Sequence, residues 1–135
     1  MLFSILDRLR SIYRREHWWA EAWSAVVLIG YGLTALRATP DHLLALASSA
    51  GLAKLLPHGW WQVAVAVFGF YQLATLAVDW RWPRAVAAFF ATFVAAWVTL
   101  DLFVYGHGVQ PGIWLGLGWV GVNMFATSRA VRGVR

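Results

Sequence analysis

The sequence predicts an all-α membrane protein with four transmembrane helices, an N-terminal amphipathic surface helix and a short interfacial helix in the first outer loop. Three observations favour this class. Of the 135 residues, 61% are hydrophobic and 13% are charged, whereas a soluble domain carries roughly a quarter charged residues. Apolar segments long enough to cross a bilayer follow one another along the chain. The basic residues lie between these segments, where they set the orientation of a membrane protein.

Residues 1–16 predict a basic amphipathic helix that lies on an anionic membrane surface. The apolar side chains recur with the spacing of one helix face, and most of the arginines fall on other faces, which is the pattern of an interfacial helix. A frayed N-terminus whose arginines only fix the topology is the alternative. The apolar face comprises Leu2, Ile5, Leu6, Leu9, Ile12 and Tyr13.

Four apolar segments predict transmembrane helices at 18–36, 60–78, 83–105 and 111–127. A helix needs about 20 apolar residues to cross a bilayer, and the fourth segment is rather short by this measure. The first segment is too long for the apolar region of a signal peptide, and no cleavage site follows it. Because these segments use most of the chain, we expect a single membrane domain over residues 1–135.

The segment 41–56 predicts a short interfacial or re-entrant helix between the first two spans. Thr39 suits an N-cap, Pro40 the first helical position and Asp41 the first turn. Two serines, a glycine and a lysine interrupt the apolar residues that follow. The segment is therefore too short and too polar to cross a membrane alone.

The charge distribution predicts that both termini lie in the cytoplasm. Under the four-span arrangement, two of the eleven basic residues, Arg37 and Lys54, fall on the side opposite the termini. Cytoplasmic loops of membrane proteins carry the excess of lysine and arginine. The tryptophans agree, because indole rings favour the headgroup level. Trp18, Trp19, Trp23, Trp80 and Trp82 fall near the predicted cytoplasmic face, and Trp60, Trp61 and Trp114 near the other face.

Five polar side chains fall at a similar depth near the predicted cytoplasmic face: Glu21, Asp79, Arg81, Arg84 and Asn123. A charge inside a bilayer is costly and is normally paired or faces a cavity. The favoured hypothesis pairs Glu21 with Arg84, Arg81 or an N-terminal arginine and gives the cluster a structural role. The alternatives are a carboxylate that handles protons or ions, and a contact with a basic residue of a partner.

Asp101 lies near the opposite end of the third span, at the depth of the outer loops. Those loops contain His42, His58 and His107, and imidazole and carboxylate groups are ligands for zinc. These residues and Asp41 come from separate segments without a recurrent ligand spacing, so exposed loop residues are the default interpretation. Asp101 is also a candidate for a structural or partner contact. We expect no metal ion, no cofactor and no catalytic residue.

Small residues predict contact faces between the helices, because hydrophobicity alone does not join spans in lipid. Gly112 and Gly116 in the fourth span have GxxxG spacing. The third span carries small residues on two neighbouring ridges, Ala87, Ala91 and Ala95 on one and Ala88, Thr92 and Ala96 on the next. Packing within the chain is the favoured interpretation of these faces, and contact between copies is the alternative.

The segment YRREHWWAEAWSAVVLIGYGL, from Tyr13 to Leu33, is followed by a compact four-span layout and a basic tail. This combination resembles small inner-membrane proteins encoded among tailed-phage and prophage genes, some of which are holin-like. The resemblance implies the cell inner (plasma) membrane and an oligomer that alters the membrane, as a holin or an exclusion protein. It assigns no functional residue.

The sequence lacks the local motifs of common enzymes. It has no P-loop, no GxSxG and no HExxH, so we expect a non-enzymatic protein. Topology explains the net charge of +5, and we expect no nucleic-acid partner. The expected partners are the lipid bilayer and either further copies of the chain or other membrane subunits. In the latter case the chain is an accessory or scaffolding subunit of a larger membrane complex.

Overall fold

The computed structural model describes residues 4–7, 10 and 18–133, and these residues contain helices and no strand. Residues 4–7 and 10 are helical, and the rest of the surface helix predicted at 1–16 lies outside the described residues. The helices that follow are α1 (Trp18–Arg37), α2 (Pro40–Ala45), α3 (Ala50–Leu55), α4 (Trp60–Val78), α5 (Arg81–Tyr105) and α6 (Pro111–Arg132). The prediction of an all-α chain is confirmed for this part of the protein.

The ends of the long helices coincide with residues that suit a turn. Asp79 ends α4 in the left-handed conformation with a φ of 63°, which aspartate tolerates better than most residues. Pro111 opens α6, and Gly133 ends it with a φ of 67°, as proline and glycine commonly do. Since no helix breaker precedes Gly133, α6 extends beyond the predicted end at residue 127.

The long helices α1, α4, α5 and α6 form an antiparallel bundle, in which α1 packs along α4 and α5 along α6. A Cβ atom on Gly32 of α1 would lie 2.6 Å from the carbonyl oxygen of Gln62. A Cβ atom on Gly69 of α4 would lie 2.9 Å from the carbonyl oxygen of Ala25. The two backbones therefore approach closely at glycines, as helices in lipid do. We call the end of the bundle that carries Trp18 and Arg132 the termini end, and the opposite end the loop end.

The inward face of α5 is a ridge of alanines. Ala88, Ala91 and Ala95 have no exposed surface, and Ala87 is also buried. Ala91 packs in a core cluster with Leu28 of α1. The predicted ridge of Ala87, Ala91 and Ala95 therefore packs within the chain, whereas on the second ridge Thr92 is half-buried and Ala96 is exposed.

Three helices are long and apolar enough to cross a membrane: α1, α4 and α5. They correspond to the first three predicted spans and are compatible with a small multi-pass membrane protein. The fourth predicted span also forms a helix, but α6 is not among the three. The glycines, the tryptophans and Asn123 lower the mean hydropathy of α6. Asn123 is nevertheless fully buried, so its polar side chain does not lie on the outer surface of the helix.

The segment predicted as one helix at 41–56 forms two short helices, α2 and α3, separated by a turn. The hydroxyl of Ser49 donates to the carbonyl oxygens of Leu43 at 2.8 Å and Leu46 at 3.5 Å. Serine side chains that bond to nearby carbonyls compete with helical hydrogen bonds. Leu46 accordingly leaves the helix with an extended backbone. Residues 40–56 are called the strap below.

Candidate functional site: buried polar clusters of the helix bundle

A buried ion cluster joins three helices at the termini end of the bundle. The Arg84 guanidinium donates from Nη2 and Nε to the two carboxylate oxygens of Glu21, at 2.6 and 3.1 Å. Its Nη1 donates to Asp79 at 2.9 Å. The side chains of Glu21 and Arg84 are 4% and 11% exposed. Arg84 is one of the partners predicted for Glu21, and in the structure it is the arginine that binds this carboxylate.

The local structure explains how these side chains meet. Asp79 ends α4 and Arg84 lies in the first turn of α5, so the tight turn between the helices brings them together. Glu21 is distant in sequence and reaches Arg84 because it lies one turn inside α1, on the face that is buried. A planar guanidinium suits this role because its fixed donors bind a carboxylate in a bidentate manner.

Among the described residues, one guanidinium of this cluster binds two carboxylates. Removing Arg84 would therefore leave Glu21 as a buried charge without its cation, which is the expensive way to break a buried ion pair. This arrangement binds α1 to the turn between α4 and α5. The contact is a specific non-covalent connection between helices. Buried charges in membrane proteins are commonly paired in this way.

A second polar cluster lies deeper in the bundle, between α1 and α6. The Ser24 hydroxyl donates to the Asn123 side-chain oxygen at 2.7 Å and accepts from the indole N–H of Trp119 at 3.1 Å. The Asn123 amide nitrogen donates to the carbonyl oxygen of Trp119 at 3.0 Å. Both Ser24 and Asn123 are buried. These polar side chains are satisfied by one another, as buried polar groups require.

Arg81 and Arg84 have different roles, although the sequence placed them together. The guanidinium of Arg81 donates to the carbonyl oxygen of Val131, in the last turn of α6. A positive charge at this end of a helix also interacts favourably with the helix dipole. Asn123 is likewise separate from the Glu21 cluster and belongs to the Ser24 network. The five residues predicted at one depth thus form three distinct contacts between helices.

Asp101 is buried at the loop end and contacts the strap. Its Oδ2 accepts hydrogen bonds from the backbone N–H groups of Gly51 at 3.0 Å and Leu52 at 3.3 Å. Asp101 is 4% exposed, although the sequence placed it among exposed outer-loop residues. Asp101 lies one turn before the end of α5 at Tyr105, as the predicted span 83–105 places it, and the start of α3 covers its carboxylate.

Gly112 and Gly116 lie on the side of α6 that faces α5. A Cβ atom on Gly116 would overlap Oγ1 of Thr99, and one on Gly112 would lie 3.6 Å from the Leu102 side chain. Both glycines also line an apolar groove of about 550 Å³ between α1 and α6. Trp19 and Trp23 form the wall of this groove at the termini end.

Sequence reasoning missed several residues on which these contacts depend. Ser24, Trp119 and Gly51 were not singled out, since serine, tryptophan and glycine are common in membrane helices and carry no charge signal. Gln72 is the opposite case, because an amide near the middle of the second predicted span predicts a hydrogen bond between helices. Gln72 is 1% exposed, yet neither atom of its amide has a hydrogen-bond partner among the described residues.

The described residues contain no group of three His, Cys, Asp or Glu side chains placed to hold a metal ion. The ionised groups inside the bundle are bonded to other parts of the same chain. Their arrangement suits the assembly of helices. No protein-family model matches the chain, and no curated protein or solved structure matches it.

Proposed function

We propose that all four long helices cross a membrane as one bundle, with both termini on the same, cytoplasmic side of the inner membrane. Between Trp114 and Phe125, every exposed side chain of α6 is apolar or a glycine. The polar Asn123 points into the bundle and is bonded there. The low hydropathy of α6 thus reflects glycine content and buried groups, and its outer surface suits lipid as the other three helices do.

We further propose that the chain is a non-enzymatic accessory or scaffolding subunit of a membrane protein complex. The observation that carries this proposal is the contrast between interior and surface. The charged groups within the bundle are bonded internally, whereas the exposed side chains along the four long helices are apolar except near the ends. Away from the helix ends, two exposed side chains carry a hydroxyl group, those of Thr34 and Tyr71. Such a surface offers contact area to other membrane helices and no polar site for a substrate.

The groove between α1 and α6 is the best candidate for a contact with another membrane helix. Its lining is apolar apart from the Ser24 hydroxyl, which is bonded within the chain. Leu115, at the edge of the groove, is 79% exposed. A large side chain that projects there would pack against a partner helix rather than within the chain.

A holin-like homo-oligomer is the second candidate function. The same groove would then take a helix of another copy, and the resemblance to phage membrane proteins supports this version. The apolar outer surface is less suited to lining a water-filled lesion, because such a wall needs polar side chains. Permeabilisation of the membrane is therefore the property that separates the two proposals.

The mass of the particle extracted from its native membrane in a detergent-free nanodisc tests the accessory-subunit proposal. A mass that includes other chains supports it, and a multiple of 15.1 kDa alone contradicts it and supports a homo-oligomer. Induced expression with dye entry and membrane potential as readouts tests the holin-like version. Unchanged dye exclusion and potential at high expression would refute that version.

The variant Leu115→Trp tests whether the groove is the contact, because the larger side chain would block the docking of a partner helix. We expect it to release the associated chains, whereas the matched control Phe89→Trp, at a position of α5 that is 60% exposed, leaves them bound. Equal retention of partners by both variants would show that the groove is not the contact.

A further inference from the structure

We propose that the strap is a re-entrant segment, which enters the bilayer from the loop end and contacts lipid acyl chains with its outer surface. The inference rests on the proposed membrane bundle and adds a fifth element to the buried part of the protein. Its turn, at residues 46–49, is the deepest point. The proposal explains why a carboxylate occupies a membrane-spanning helix at Asp101.

Two contacts place the turn and the start of α3 within the length of the bundle, away from the ends of its long helices. The Tyr31 hydroxyl donates to the carbonyl oxygen of Ser48 at 2.7 Å, and Tyr31 lies about 9 Å from the end of α1 at Arg37, at 1.5 Å per helical residue. On α5, Asp101 lies about 6 Å from the end at Tyr105, and it holds the start of α3. A segment at the membrane surface would contact residues nearer to the helix ends.

The hydrogen bonds of the strap are those that a non-helical backbone needs inside hydrocarbon. Irregular backbone is tolerated at that depth only where its polar groups find partners within the protein. Tyr31 satisfies the carbonyl of Ser48, and the Ser49 hydroxyl satisfies that of Leu43. Asp101 satisfies two N–H groups at the start of α3, which lack helical partners. Water would supply these partners freely at an exposed surface.

Gly51 permits the contact with Asp101. A Cβ atom at this position would overlap Oδ1 of the Asp101 carboxylate, so a larger residue would push α3 away from α5. Gly51 is buried, as are Ala50 and Leu52 beside it. Three consecutive residues of the strap thus lie against the bundle, with no side chain between the carboxylate and the backbone that it binds.

The exposed surface of the first half of the strap changes from polar to apolar in the direction of the proposed insertion. Asp41 and His42 are exposed at its start, near the end of α1. The ammonium of Lys54 lies 4.4 Å from the centre of the Tyr105 ring, at the end of α5, where a lysine can reach the headgroups. Between them, the exposed side chains of Leu44 and Leu46 continue the apolar surface of the bundle.

Single-cysteine labelling tests the position of the strap, because the chain contains no cysteine. The test position is Leu46, which is 42% exposed, so that burial within the protein would not protect Leu46→Cys from a water-soluble maleimide. Val67→Cys on α4 is the lipid-exposed control, and Val109→Cys in the last loop is the water-exposed control. The variants are reconstituted in lipid nanodiscs, in which the reagent reaches both faces.

We expect Leu46→Cys to react about tenfold or more slowly than Val109→Cys, at a rate close to that of Val67→Cys, since apolar surroundings suppress the reactive thiolate. Reaction of Leu46→Cys at the rate of Val109→Cys, with Val67→Cys protected, would overturn the re-entrant strap alone. If Val67→Cys also reacts at that rate, the membrane bundle itself is refuted.

Variants of Asp101 test whether the carboxylate holds the strap in place. In the Leu46→Cys chain, Asp101→Leu removes the hydrogen-bond acceptor, whereas Asp101→Asn keeps an acceptor oxygen. We expect the leucine variant to raise the labelling rate about tenfold and the asparagine variant to leave it close to that of the parent, provided that circular dichroism shows both to be folded. Slow labelling of a folded Asp101→Leu variant would refute the proposed tether.

Discussion

Replacement of Arg84 by leucine should destabilise the bundle more than any other single charge removal among the described residues. The side chain of Glu21 is 4% exposed and receives two hydrogen bonds from Arg84. Removing the cation leaves this carboxylate buried and unpaired, which costs about 3–5 kcal/mol. The unfolding equilibrium would then change by roughly two to four powers of ten.

The reciprocal variant, Glu21→Leu, should cost less, because Arg84 retains its contact with Asp79 at 2.9 Å. The loss of hydrogen bonds to a charged group amounts to about 1.5–3 kcal/mol. In the double variant Glu21→Leu/Arg84→Leu the buried carboxylate of Glu21 is gone, and Asp79, whose side chain is 23% exposed, keeps access to water. Much of the lost stability should therefore return. The coupling energy of the cycle should be about 2 kcal/mol or more.

The assay is the free energy of unfolding, measured reversibly in lipid nanodiscs or bicelles for the parent, the two single variants and the double variant. Arg37→Leu provides a control, since Arg37 is exposed at the end of α1 and its replacement should change stability by less than about 0.5 kcal/mol. Strictly additive effects of Glu21→Leu and Arg84→Leu would refute the buried pair.

The same unfolding assay tests two further positions against matched controls. Gly116→Ala should cost about 1–3 kcal/mol because its Cβ would overlap Thr99, whereas Gly118→Ala should be neutral or slightly stabilising because nothing lies within 4 Å of its Cβ. Equal effects of the two alanines would contradict the packing of α6 on α5. Asn123→Leu should cost about 1–3 kcal/mol through the polar groups it leaves unpaired, and Gln72→Leu should cost nothing measurable. A larger loss for Gln72→Leu than for Asn123→Leu would contradict this account of the interior.

The sequence was sufficient to predict the long helices, because hydrophobic length and turn residues are local signals. The predicted bounds of 60–78 coincide with those of α4. The ion pair between Glu21 and Arg84 was also predictable as one of a few options, since an isolated charge in a span requires a partner. Which arginine would pair depended on the rotation of α1 and α5, and hydropathy does not encode that rotation.

The contacts of the strap could not be read from the sequence, because they join backbone groups to distant side chains. Asp101 was misplaced among exposed loop residues, since its backbone partners at Gly51 and Leu52 carry no chemical label in a sequence. In the sequence, Gly51 cannot be distinguished from a glycine such as Gly118, at which an added Cβ atom would have no neighbour within 4 Å. Its importance arises only when α3 and α5 are brought together. The division of the strap into α2 and α3 similarly depends on the orientation of the Ser49 hydroxyl.

The location of the two termini relative to the membrane tests the four-helix bundle most directly. In sealed vesicles of known orientation, a protease or an impermeant label is applied to chains that carry a tag at either the N-terminus or the C-terminus, with Val109→Cys as a marker of the loop end. The four-span account predicts that both tags react from the same side and Val109→Cys from the other. Tags on opposite sides would mean that an odd number of helices cross the membrane, and would contradict the account.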